Sequence, residues 1–181
     1  MWEFLVAQGL KSISPEEAQE RVKAGTDVLV DVRPAEAYEK AHPEGALSAP
    51  MFQVINLGTG FSLGRLAKAA AMAANGVTPT ERNPNFVQEL KKAAGDKGVI
   101  LFCEAGGTLL PSANFATGKT SRSLKASYTA IAEAGLKKVA HLDGGAFGWF
   151  KAGLPFDGEY DTSNVGRTPN AALPAAEDNQ Q

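Results

Sequence analysis

Cysteine is almost missing from this chain. Cys103 is the single thiol among 181 residues, and histidine is nearly as scarce, with His42 and His141 alone. One thiol excludes an internal disulfide, and so few soft ligands leave no Cys-rich zinc site, so no structural metal is expected. Long apolar runs are also lacking. Nothing approaches the ~18 residues that span a bilayer, the longest candidate being the Ala-rich stretch around Ala69 to Ala74, so no transmembrane segment is expected. Excess positive charge is absent too: Lys and Arg total 18 against 20 Asp and Glu, for a net charge of -2 and a pI near 5.7. Phosphate backbones are bound by clustered Lys and Arg, so no nucleic-acid partner is expected. The first residues, Met1-Trp2-Glu3-Phe4-Leu5, have neither the basic-then-apolar form of a secretory signal nor the Arg/Ser-rich form of a transit peptide. What remains, 44% hydrophobic and 21% charged residues, suits one ordinary globular domain able to bury a core.

Helix and strand patterns alternate along the chain. Ser14-Pro15-Glu16-Glu17 is a capping box with proline in the first turn, and it predicts a helix from Pro15 to Ala24 stopped by Gly25. Val28 to Val32 is a β-branched apolar run, the pattern of a strand buried on both faces. A brief helix over Ala35 to Ala41 and an edge strand near Gly45 to Pro50 follow. Residues 56–85 carry no strand pattern, and an Ala-rich helix near Leu66 to Ala74 marks them as a long, partly helical excursion. Asn85 is expected to cap a helix over Phe86 to Ala94, with Phe86, Val87 and Leu90 on one face. Val99-Ile100-Leu101-Phe102-Cys103 is a second buried strand, with Cys103 last. Ser121-Arg122-Ser123-Leu124 opens a helix running to Glu133, Val139 to Leu142 is a third strand, and a final helix follows Gly144-Gly145. Strands spaced by helices give an α/β fold, a central parallel sheet with helices on both faces, whose ligands sit beyond the carboxyl ends of the strands. The tail, 162–181, has few large apolar residues and is expected to be flexible.

Cys103 lies at such a carboxyl end. Glu104-Ala105-Gly106-Gly107 follow it, two glycines leaving backbone amides unshielded, and a helix start follows at Ser121 to Ser123. Such a cradle favours an anion, either the thiolate or the charged sulfur of a persulfide, and Arg122 adds a fixed positive charge. The plainer reading is that a buried cysteine simply ends a core strand.

Taken together, several motifs resemble the rhodanese domain. They are Asp31-Val32-Arg33, His42 with Gly45-Ala46, Cys103 ahead of glycines and Arg122-Ser123, and Leu142-Asp143-Gly144-Gly145 through Trp149 to Ala152-Gly153-Leu154-Pro155. The resemblance covers Ser14 to Pro155, and the middle excursion with Gly106 to Pro111 looks closest to plastid rhodanese-like proteins of plants and algae. It implies a rhodanese-like domain over 14–161, with insertions near 56–85 and 107–120, after an N-terminal segment, 1–13. It implies a sulfurtransferase in which Cys103 takes sulfur from a thiosulfate-type donor and passes it as a persulfide to cyanide or a thiol acceptor. The backbone of Glu104, Ala105, Gly106 and Gly107, with Arg122 and Ser123, would bind substrate, while Asp31 and Arg33 match a mostly structural pair. The resemblance implies no metal or organic cofactor and a chloroplast location, in the stroma or at the thylakoid.

The family loop usually reads Cys-x-x-Gly-x-Arg, whereas eighteen residues, 104–121, separate Cys103 from Arg122 here. A long loop fixes geometry poorly unless it packs. Ala37 stands where the family usually has Glu, and His42-Pro43-Glu44-Gly45 where it reads His-Ile-Pro-Gly. The same residues admit other readings. Ala113 to Thr120 fits a permissive nucleotide P-loop, but residues 104–112 separate it from the strand it should follow. A phosphatase needs its Arg a few residues after the thiol. His141, on an apolar background, is expected to be a hydrogen-bonded core imidazole rather than a base. The main rival is a non-catalytic module that binds a protein partner through the inserted loops, and redox sensing by the thiol is a third use.

Overall fold

The structure, a computed structural model, describes residues 1–76, 78–111, 115–116 and 118–164. The chain opens with α1 (Trp2–Ala7) and β1 (Lys11–Ile13), then α2 (Pro15–Lys23), β2 (Asp27–Asp31), α3 (Ala35–Lys40), β3 (Ala41–Pro43), β4 (Leu47–Ser48) and β5 (Phe52–Val54). It continues through α4 (Leu63–Ala74), β6 (Thr80–Arg82), α5 (Phe86–Ala94), β7 (Gly98–Phe102), α6 (Arg122–Ala132), β8 (Val139–Leu142), α7 (Gly145–Lys151) and β9 (Phe156–Gly158). Half of the expected capping box forms: Ser14 Oγ accepts the Glu17 amide at 3.2 Å, with Pro15 in the first turn, while the Glu17 carboxylate pairs with Arg21 instead of the Ser14 amide. The cap expected at Asn85 differs. Its side chain makes no cap, and its amide donates instead to Oδ1 of the buried Asn83 at 2.9 Å.

Two compact units make up the described chain, and the larger holds residues 1–53 and everything from Arg82 onward. Its central sheet runs β1-β8-β7-β2-β4 with every pairing parallel. Parallel strands are covered on both faces, which is why β7, Gly98–Phe102, is buried at every position. Successive strand residues point to opposite faces. Val99, Leu101 and Cys103 join the core that Phe86 and Leu90 of α5 and Ala126 and Ala130 of α6 complete. Ile100 and Phe102 join the other, with Ala18 of α2 and Ala146 and Trp149 of α7. That alternation alone aims the Cys103 side chain at the α6 face. Strand β7 ends at Phe102, one residue earlier than expected, so Cys103 is the first residue of the loop.

The N-terminal segment, 1–13, takes part in this sheet, which its short strand had not revealed. Strand β1 pairs with β8 so that Ser12 stands opposite His141, while Leu5 and Leu10 bury against Leu124 of α6. The other unit, described over residues 54–81, carries α4, capped by Ser62 Oγ on the Arg65 amide at 3.1 Å. Arg65 grips Glu81 through Nη2 at 2.6 Å and Nε at 3.0 Å. Strand β6 is a short strand inside a stretch that showed no strand pattern. Residues 165–181, where most of the expected flexible tail falls, lie outside the described residues.

Candidate active site

Cys103 sits where β7 gives way to a loop, and the residue is 5% exposed. Among the described residues its Sγ has one hydrogen-bond partner, Ser123 Oγ at 3.2 Å. Ser123 is the second residue of α6, fully buried, and it reaches the sulfur because Ser121 caps the helix, its Oγ accepting the Leu124 amide at 3.0 Å. The hydroxyls of Ser121 and Ser123 are 3.0 Å apart. The Leu124 N–H, the hydroxyls of Ser121 and Ser123 and Sγ therefore form one chain of hydrogen-bond contacts from the start of α6 to the thiol.

The loop is shaped by backbone that only glycine permits. Gly106 and Gly107 have φ of +73° and +75°. A Cβ on Gly106 would lie 2.9 Å from Gly144 N and one on Gly145 would lie 2.2 Å from Cys103 O, so the two glycine pairs exist to let their backbones touch. The contact is also hydrogen-bonded: Ala146 N donates to Cys103 O at 2.9 Å and Phe147 N to Glu104 O at 3.0 Å. The cradle expected from 104–107 is only partly there. The Gly107 amide turns back to Ala105 O at 2.8 Å, and no loop amide bonds to Sγ among the described residues. The amides of Glu104, Ala105 and Gly106 donate to no other described group.

Glu104 is anchored by its side chain. Arg33 Nη1 meets Glu104 Oε2 at 2.9 Å and Tyr160 Oη donates to Oε1. Burial, then that hydrogen bond, pushes the Tyr160 hydroxyl far above its ordinary value, so it stays a donor. Arg33, 3% exposed, also forks onto Asp31 at 2.7 Å through Nη2 and 2.9 Å through Nε, and donates to Ala41 O at 2.6 Å. Burial holds the Asp31 carboxyl above its ordinary value, and the Arg33 hydrogen bonds and charge offset only part of that rise. The pair matched as structural thus holds the residue that follows the thiol. Arg122, at the helix start, makes no hydrogen bond or ion pair with a described residue.

The inserted stretch is pinched at its base. Thr108 and Lys119 form an antiparallel bridge, each amide donating to the other's carbonyl at 3.0 Å, which brings the two ends of the insertion together between Cys103 and α6. Trp2 Nε1 donates to Thr108 O at 3.4 Å, and Gly118, φ +98°, leaves room for the indole. Helix α1 therefore supports the neck. Trp2→Ala is expected to raise the hydrogen-exchange rate of the Lys119 amide about tenfold, read by mass spectrometry or NMR, with the β7 amides unchanged. Of the P-loop match over 113–120, residues 113, 114 and 117 lie outside the described residues.

His141 was expected to be a hydrogen-bonded core imidazole, and so it is: fully buried, with partners at both ring nitrogens. Its place beside the thiol was not legible. Neither were Ser12, Trp2 and Tyr160, because nothing in a single sequence shows which edge strand or terminal segment reaches a loop. Among the described residues no cluster of His, Cys, Asp and Glu is arranged to hold a metal, and no helix is long and apolar enough to cross a membrane.

Comparison with known proteins agrees with this geometry. The rhodanese-like domain family matches residues 14–152. Rhodanese-like domain-containing protein 14, chloroplastic, of Arabidopsis thaliana is 35% identical over 157 residues, which is 86% of this chain and 68% of that protein. The crystal structure of Rv0390 from M. tuberculosis superposes with a TM-score of 0.53 at 20% identity, over 82% of this chain and 98% of that one. Thiosulfate sulfurtransferase from Pseudomonas aeruginosa is similar over 87% of this chain and 22% of its own, at 19% identity and a TM-score of 0.46. Sulfurtransferases are among the members of the matched family. With the parallel sheet, the thiol at its carboxyl end and the family match over most of its length, this chain belongs to the rhodanese-like domain family.

Proposed function

We propose that the chain is a sulfurtransferase that carries sulfane sulfur as a persulfide on Cys103, taken from a thiosulfate-type donor and given to cyanide or a thiol acceptor. The observation that supports this most is the chain of hydroxyls that reaches Sγ, 3.2 Å from Ser123, inside a loop whose amides at 104–106 have no acceptor among the described residues. The Cys103 thiolate attacks the outer sulfur of thiosulfate. The Sγ–S bond forms as the bond to the inner sulfur breaks, and sulfite leaves with the electron pair. The outer sulfur carries the charge, and the amides of Glu104, Ala105 and Gly106 with the Arg122 guanidinium are the donors assigned to it. An acceptor nucleophile then attacks that sulfur and the Cys103 thiolate departs. No step needs a metal or an organic cofactor. The chloroplastic relative favours a plastid location.

The protein-binding reading is favoured by Leu110 and Phe115, 74% and 44% exposed on the inserted stretch. One comparison separates the two. Thiocyanate formation from thiosulfate and cyanide is expected to fall to background in Cys103→Ser and to persist when 109–118 is replaced by a short Gly-Ser link, because the Thr108–Lys119 bridge closes beneath it. A native chain with no thiocyanate above background would sink the sulfur-transfer reading and leave docking by the loop.

A further inference from the structure

Ser123 has one proton and four neighbours that compete for its hydroxyl. Cys103 Sγ is 3.2 Å away, Gly106 O 3.1 Å, Ser121 Oγ 3.0 Å and His141 Nε2 3.1 Å. Which one receives that proton decides whether the sulfur has a donor.

His141 settles the choice. A carbonyl only accepts, and Gly106 O lies 2.7 Å from Nε2, so Nε2 carries the ring proton. Nδ1 must then accept, and the Ser12 hydroxyl, 2.9 Å away on the neighbouring strand, supplies its proton. Burial holds the imidazole below its ordinary value and so neutral, against the weaker pull of the Gly106 carbonyl and the Asp143 charge. A protonated Nε2 takes nothing from Ser123. Gly106 O is already served by the shorter bond, and Ser121 Oγ by the Leu124 amide at 3.0 Å. Sulfur in its anionic form is the strongest acceptor left.

We infer that His141 is a positioning residue: by giving its Nε2 proton to the Gly106 carbonyl it reserves the Ser123 hydroxyl for the sulfur of Cys103. Ser12, through Nδ1, fixes the tautomer that makes this work. The inference rests on Cys103 acting as a nucleophilic thiol, the reading proposed above, but its test needs no sulfur donor.

The test is the rate of alkylation of Cys103 by iodoacetamide at neutral pH, with melting temperature and near-ultraviolet circular dichroism confirming the fold. Ser123→Ala and His141→Leu are each expected to slow alkylation roughly fivefold, since a hydrogen bond to a charged group is lost while the less stabilised sulfur gains nucleophilicity. The double variant Ser123→Ala/His141→Leu is expected to be no slower than either, because both act through one proton. His141→Gln, whose amide reaches the Nε2 position, should stay within about twofold of the native rate. His141→Asn is as polar but stops short, and should be as slow as His141→Leu; it serves if the leucine variant does not fold. A folded His141→Asn at the native rate, or additive losses in the double variant, would overturn the inference. The expected pattern of slowed alkylation, with no sulfur transfer by the native chain, would instead count against the sulfurtransferase reading alone.

Discussion

Arg33→Ala is expected to destabilise the chain by about 3–5 kcal/mol, the usual cost of leaving a buried charge without its partner. Asp31 is 0% exposed and Arg33 3%, and the guanidinium joins the end of β2 to the Ala41 carbonyl and to Glu104 in the thiol loop. Equilibrium urea unfolding measures the loss. Its pH dependence identifies the cause. Without Arg33, burial still raises the folded-state value of the Asp31 carboxyl and nothing pulls it down. A raised acid favours folding below its unfolded value and loses that contribution as pH rises, so the deficit should be smallest near pH 4 and largest at neutral pH. Asp31→Asn in the Arg33→Ala background should recover part of the stability. A loss under about 1 kcal/mol at neutral pH would mean that water replaces the guanidinium and that the pair is not what holds the loop.

Gly145→Ala is expected to reduce persulfide formation more than tenfold while Gly135→Ala leaves it unchanged. Both glycines have positive φ, +59° and +71°, so both substitutions carry the left-handed backbone penalty of about 1–2 kcal/mol. They differ in what the new methyl meets. At Gly135 nothing lies within 4 Å, whereas at Gly145 a Cβ falls 2.2 Å from Cys103 O, 2.8 Å from Gly106 N and 2.9 Å from Glu104 O. Those atoms are backbone of the thiol loop, and a displacement near 1 Å at a reacting centre costs on the order of a hundredfold. Persulfide content, read by cold cyanolysis after incubation with thiosulfate, separates the outcomes. Equal effects of the two substitutions would show that the loop tolerates the shift.

Much of this was legible in the sequence because it rests on local pattern. The Ser14 capping box, the β-branched strands at Val28 to Val32 and Val99 to Phe102 and the glycine stops placed the elements, and alternation with helices implied the parallel sheet that β2, β7 and β8 form. Cys103, Ser123 and Gly106 were readable as a group through the rhodanese motifs. Other features depend on contacts between residues far apart in the chain. Lys11–Ile13 is too short to show strand periodicity, yet its pairing with β8 puts Ser12 against His141. Trp2 reads as an apolar residue near a terminus, and only the folded chain brings it to Thr108. The long spacing from Cys103 to Arg122 suggested a loosened loop. The Thr108–Lys119 bridge brings the two ends of the insertion together, a pairing that the intervening Gly and Thr residues do not announce. Asn85 reads as a cap, yet its side chain makes none, because its amide goes to Asn83, which is itself fixed by bonds to Pro50 O and Glu89.

The central claim is that Cys103 carries the sulfur, and intact mass spectrometry tests it most directly. The protein is incubated with thiosulfate, freed of excess donor and weighed with and without dithiothreitol, beside Cys103→Ser. A gain of one sulfur atom is expected, removed by the reductant and never seen in the variant. An unchanged mass in a folded chain whose thiol is still alkylated by iodoacetamide would contradict it.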